Sequence, residues 1–238
     1  MVIGWVHRDQ PGGSAWAQVE AAQRDVRLPC LLVPQPAHAV LAGELAAALL
    51  PTAFGELPSE IQRAIQMHDT GWAASDAQQI QRLRSGSGST AAPLSFIAVP
   101  PKEAAEAWTA SIDAVEAFSR PGAIIVSRHF SLLAQHDQPH HQRFLQAEKS
   151  RQRKLEASTP QGADLDRWTA ALGFCDLVSL CLLSGLSGEV EFPLAHPASA
   201  ASRGEMAIKE SGTALDPFAE RKRWICCASL AAQPVSCI

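Results

Sequence analysis

One aspartate restricts the fold of this chain more than any other residue. Asp176 stands in Leu172-Gly-Phe-Cys-Asp-Leu-Val-Ser-Leu-Cys-Leu-Leu183, a stretch that reads as helix and is apolar on nearly every side. With 47% hydrophobic and 18% charged residues among 238, the chain has enough apolar material to bury such a helix in a core. An isolated carboxylate in that position costs several kcal/mol even after relaxation. The fold must therefore bring a cation, a partner charge or a set of hydrogen bonds to Asp176.

Hydrophobic periodicity predicts the elements that supply those partners. Met1 to Val6 and Leu28 to Val33 read as short strands, the second ended by Pro34 and Pro36. From Ala37 the period becomes helical, with Val40, Leu41, Leu45, Ala48 and Leu49 recurring up to Pro51. Ser59-Glu-Ile-Gln62 has the form of a capping box opening a second helix, which carries Ile61, Ile65 and His68 and breaks near Gly71. Ser85 to Ser89 is a flexible loop too short to divide domains. Further helices are predicted over Lys102 to Phe118, Ala123 to Gln135 (after the Pro121-Gly122 punctuation), Gln142 to Glu156 and Asp164 to Leu183. Strand-like pieces follow at Glu189 to Leu194, Met206 to Ile208 and Arg223 to Leu230. No internal repeat is present. The expected fold class is mainly α: one domain over 1–238, with a helical core at about 35–185. A small β-rich appendage is expected from the N-terminal strands (1–34) and the C-terminal tail (186–238).

Composition removes several function classes. The net charge is −4, and no Lys/Arg stripe exists apart from the mixed stretch Lys149 to Lys154, so nucleic acid is not an expected partner. None of the six cysteines forms a CxxC, which excludes a zinc ribbon or thioredoxin-type motif. The first ten residues lack the pattern of a signal peptide, and no apolar run reaches spanning length. The expectation is a cytoplasmic protein with no membrane partner.

Four further residues interrupt apolar sequence. His68-Asp69 precedes Thr70-Gly71-Trp72, and adjacent helical residues point about 100° apart. Both can face one small ion only at a helix end, which Gly71 supplies; a carboxylate placed there can also bridge two metals. His38 shares a helical face with Ala42 and Leu45, and His129 punctuates the apolar helix around Ser127-Arg-His-Phe130. Taken singly, His38 and His129 each read as a core residue satisfied by a backbone carbonyl, and an isolated His-Asp pair is common. Their combination with Asp69 and Asp176 points to a metal site.

The order His38, then His68-Asp69 thirty positions later, then a distant Asp176 in an apolar helix resembles the HD superfamily of metal-dependent phosphohydrolases. More narrowly, Gln35-Pro-Ala-His38, Gly43-Glu-Leu-Ala46, His68-Asp-Thr-Gly-Trp72, Ser127-Arg-His-Phe130 and Asp176-Leu-Val-Ser-Leu180 are similar to a small bacterial family catalogued as a domain of unknown function. The resemblance covers about Leu31 to Leu183 and implies an HD/PDEase-like helical bundle. It implies His38, His68, Asp69 and Asp176 as ligands of one metal, with His129 as a ligand of a second and Asp69 bridging. Such a donor set suits one or two ions of Fe, Mn, Zn, Ni or Co better than calcium. His136, His140 and His141 lie in a polar stretch that reads as a solvated loop.

The implied activity is hydrolysis of a phosphoester or phosphoanhydride by a metal-activated water, on a small and anionic substrate. Catalytic roles then fall to Asp69 and to Arg128, the latter as an anion clamp in competition with an ordinary surface ion pair. Many HD phosphohydrolases carry a Lys where this chain has Trp72, a departure that weighs against phosphate. Trp72 also reads as a core residue. Two other outcomes share the scaffold: a di-iron oxygenase of the myo-inositol oxygenase type, and a non-catalytic ligand-binding HD domain. Gln35 is a candidate to orient a ligand, and Asp76 reads as a surface or supporting residue.

Overall fold

A computed structural model describes residues 1–4, 14–24, 31–49, 54–85, 93–134, 138–159 and 163–185, together with the strand backbone at 188–190, 205–209 and 225–229. Helices dominate it. In chain order they are α1 (Ala15–Arg24), α2 (Gln35–Ala48), α3 (Ser59–Met67), α4 (Ala73–Arg84), α5 (Pro101–Glu116), α6 (Arg120–Leu133), α7 (Pro139–Glu156) and α8 (Leu165–Leu183). No helix among the described residues is long and apolar enough to cross a membrane.

α8 is the axis of the molecule. Its first half, through Leu172 and Cys175, packs into a core with Ile61 and Ile65 of α3, Ile112 of α5, Ile124 and Phe130 of α6 and Phe144 of α7. Its second half, through Val178, Leu180 and Cys181, joins a smaller cluster with Val2, Val19 and Ala22. Asp176 sits between the two, where neither apolar cluster claims its face. α2 lies against both α3 and α8. Its contact with α3 is unusually close at Gly43, where a Cβ would fall 2.5 Å from Gln66 Cβ.

The predicted helices form, with three local differences. Pro121 and Gly122 lie inside the first turn of α6, because Ser119 caps the helix by accepting a hydrogen bond from Gly122 N–H at 2.9 Å. Proline is tolerated there since its missing N–H has no intrahelical partner to lose. The capping box at Ser59 does not form: Ser59 is already helical and Pro58 precedes it without a side-chain cap. Glu60 instead accepts from Ser119 Oγ at 2.8 Å, tying α3 to the start of α6. The polar, Ala- and Gln-rich segments α1 and α4 were not expected as helices, since neither shows a strong apolar period.

The β structure also differs from a single appendage built by both chain ends. β1 (Val2–Gly4) and β2 (Leu31–Val33) pair antiparallel, with Val2 opposite Val33. β3 (Gly188–Val190), β4 (Glu205–Lys209) and β5 (Ile225–Ser229) form a separate antiparallel sheet in the order β3-β4-β5. The remaining parts of the predicted strands lie outside the described residues. Gln23 of α1 acts as a third strand beside β1: its Oε1 accepts from Ile3 N–H and its Nε2 donates to Ile3 O, both at 2.8 Å. Here a side-chain amide does the work of a backbone peptide.

Candidate metal centre

Five side chains from four segments converge beside α8: His38 from α2, His68 and Asp69 from the end of α3, His129 from α6 and Asp176 from α8. They are 1–7% exposed. The geometry follows from local structure. His68 ends α3 as its C-cap, and Asp69, with φ −109° and ψ 18°, has already left the helix. The bend turns two adjacent side chains toward one point, as the helix end at Gly71 requires. Gly71 makes the bend fit: a Cβ there would sit 2.1 Å from Ala107 O, and its N–H donates to Ser111 Oγ at 2.9 Å.

His38 Nε2 is 2.7 Å from Asp69 Oδ2, and His68 Nε2 is 3.5 Å from the same oxygen. Asp176 Oδ1 lies 3.4 Å from His68 Nε2 and 3.6 Å from His38 Nε2, while its Oδ2 is 3.4 Å from His129 Nε2. Two overlapping ligand groups result, His38/His68/Asp69 and His68/His129/Asp176, each with its atoms within 4.8 Å of one another. His68 belongs to both.

The outer hydrogen bonds decide which ring nitrogens point inward. His68 Nδ1–H donates to Ile65 O at 2.7 Å, because a carbonyl can only accept. Ser179 Oγ–H donates to Asp176 O at 2.8 Å, so it accepts from His38 Nδ1–H at 2.7 Å. With Nδ1–H engaged outward, each ring presents Nε2 to the carboxylates, the atom that would face a bound cation. Nε2 of His68 and of His129 has no hydrogen-bond partner among the described residues. A buried polar atom left unpaired costs about 1–3 kcal/mol.

Electrostatics state the same deficit. Among the described residues, neither Asp69 nor Asp176 has a Lys or Arg ion partner; their ion pairs are with histidines alone. Burial opposes a charge on His68, yet Asp69 and Asp176 outweigh it and raise its pKa to about 9. Burial likewise works against an ionised Asp176, but His129 and His68 hold it well below the usual carboxylate range. Two carboxylate charges facing three imidazoles are balanced by one divalent cation. Nitrogen and carboxylate donors together fit a transition metal better than calcium. Burial first, then Asp176, pushes the Cys181 thiol up to about 12, so Cys181 is no nucleophile.

Of the residues singled out in the sequence, Arg128 is not brought to the cluster. It donates to Asp166 at 2.6 Å and Glu156 at 2.8 Å. The cause is helical: His129 points inward, and its neighbour points about 100° away. His141 lies on α7 and packs on Trp108 at 5.0 Å, and His140 shares that helix; neither joins a ligand group. His136 lies outside the described residues. Trp72 is buried in the main core. Asp76, expected as a surface or supporting residue, is buried against the Met1 ammonium at 3.0 Å and accepts from Gln35 N–H at 2.6 Å. Ser179 was missed, although its signal was present: it is a polar residue three positions after Asp176 on an apolar helix, hence on the same face.

Comparison with curated proteins and with solved structures finds no match. A family match spans residues 23–225, most of the chain and all five converging side chains. The chain thus belongs to the family described as Protein of unknown function (DUF3891).

Proposed function

We propose that this chain is an HD-type metal-dependent hydrolase acting on a phosphoester or phosphoanhydride bond. The observation that carries the reading is the pair of buried imidazole Nε2 atoms without a hydrogen bond, beside two carboxylates that have no Lys or Arg partner among the described residues. His38, His68, Asp69, His129 and Asp176 would hold one or two ions. A bound divalent metal supplies a Lewis acid and a water acidified toward neutral pH. Ser179 and Ile65 O hold two rings with Nε2 inward. Arg128 remains with Glu156 and Asp166 and takes no part.

The test is elemental analysis of protein purified without chelator, beside Asp69→Ala, followed by turnover assays on nucleotides, cyclic dinucleotides and generic phosphodiesters. Expected is about one or two transition-metal ions per chain in the wild type, loss in the variant, and metal-dependent phosphate release. Bound metal with no turnover anywhere in the panel rejects the hydrolase reading. Among the described residues no Lys or Arg pairs with Asp69 or Asp176, which favours a second reading, a di-iron oxygenase. An oxygen-dependent change in the iron spectrum after anaerobic purification would select it.

A further inference from the structure

A second pair of unsatisfied polar atoms sits on the segments that carry His38 and Asp69. Gln35 lies one helical turn before His38 on α2, and Trp72 lies one 3-10 turn after Asp69. Both are 3% exposed, and neither Gln35 Oε1 nor Trp72 Nε1 has a hydrogen-bond partner among the described residues.

Two hydrogen bonds and three helical spacings link these residues in a ring. His38 meets Asp69 at 2.7 Å. Asp69 and Trp72 are three apart in a 3-10 turn, where such side chains eclipse. Trp72 and Asp76 are four apart, one helical turn. Asp76 accepts from Gln35 N–H at 2.6 Å, and Gln35 returns to His38 in one turn. α2 touches the Thr70–Trp72 turn, so Gln35 and Trp72 stand on adjoining segments beside the ligand cluster.

The two atoms are complementary in sense. The indole N–H only donates, and the amide oxygen only accepts. A hydroxyl can serve either sense, accepting from the indole N–H or donating to the amide oxygen. Neither group is charged, and the nearby Asp76 is already engaged by the Met1 ammonium and Gln35 N–H. We propose that Gln35 and Trp72 form a recognition subsite for a substrate hydroxyl beside the metal centre, selecting polyol or sugar phosphates. The phosphate half of this statement rests on the hydrolase reading; the hydroxyl half does not.

The experiment uses the metal-loaded full chain with nitrogen-15 indoles, the Trp72 resonance being assigned by its absence in Trp72→Phe. Glycerol 3-phosphate and ribose 5-phosphate are titrated against methyl phosphate, which has no hydroxyl. The Trp72 indole resonance should move with the first two and stay with the third. Gln35→Leu should weaken binding of the hydroxyl probes about tenfold, with methyl phosphate binding and metal content unchanged. If Gln35→Leu does not melt cooperatively, Trp72→Phe should show the same selective tenfold loss. A resonance that no probe moves overturns the subsite, as does an equal loss for all three probes. Cleavage without hydroxyl preference rejects the subsite and leaves the hydrolase reading standing. Hydroxyl-dependent movement without cleavage of any probe does the reverse.

Discussion

Single atoms at the cluster determine how it should respond to substitution and to pH. Ser179→Ala removes the acceptor that keeps the proton on His38 Nδ1. Metal affinity should fall roughly 10–100-fold, the usual penalty for losing an outer partner of a ligating histidine, with the fold retained. Competition with a chromophoric chelator measures it. His68 sets the pH response of the metal-free protein. Its folded pKa is about 9 against an ordinary 6.5, so its contribution is complete below 6.5 and lost as pH rises through 9. Metal must displace that proton, so loading strengthens over the same interval. The melting-temperature gap between loaded and metal-free protein should therefore widen from pH 6.5 to 9; a constant gap would refute the assignment. Asp176 and the His68-Asp69 pair were legible in the sequence because each breaks a local pattern. The direction of Arg128 follows from helical phase once His129 is known to point inward, and sequence alone left that phase open.

Two close approaches between elements decide whether the ligands meet. At Gly71 a Cβ would strike Ala107 O and Ser111 N of α5, backbone atoms that cannot rotate aside. Gly71→Ala should therefore push the His68-Asp69 bend off α5 and cost about 2–4 kcal/mol of stability. Metal content should fall with it, read by denaturant melts and elemental analysis. Gly43→Ala meets Gln66 Cα at 2.8 Å and separates α2 from α3, with the same direction of effect on His38 and His68. Gly173→Ala is the internal control: its Cβ would lie 3.7 Å from His129 Nδ1, an ordinary contact inside α8, so stability should not fall and should rise by up to about 1 kcal/mol. Helices with an apolar period were readable in advance. α1 and α4 were not, since their polar residues are buried by tertiary partners: Gln23 against β1, and Asp76 against Met1 and Gln35.

For the whole molecule, the metal is expected to act as a staple. Its ligands come from α2, the end of α3, α6 and α8, segments separated by up to 138 positions between His38 and Asp176. A ligand present at a thousandfold excess over its dissociation constant stabilises by about 4 kcal/mol. At about 2–4 °C per kcal/mol for a chain of this size, chelation should lower the melting temperature on the order of 10 °C. Restoring the ion should reverse the drop. A chelator that leaves the transition in place would show that the cluster does not bind metal in solution.

Helical class and most helix positions were determined by sequence alone, because apolar periodicity is a local signal; the five converging residues stood out as polar interruptions of it and were grouped by the family resemblance. Which atoms face one another was decided only by tertiary structure. The tautomers imposed by Ile65 O and Ser179, the diversion of Arg128 to Glu156 and Asp166, and the unpaired Gln35 and Trp72 all depend on contacts between segments far apart in the chain. A buried group is defined by what surrounds it, and its surroundings exist only once the helices have packed.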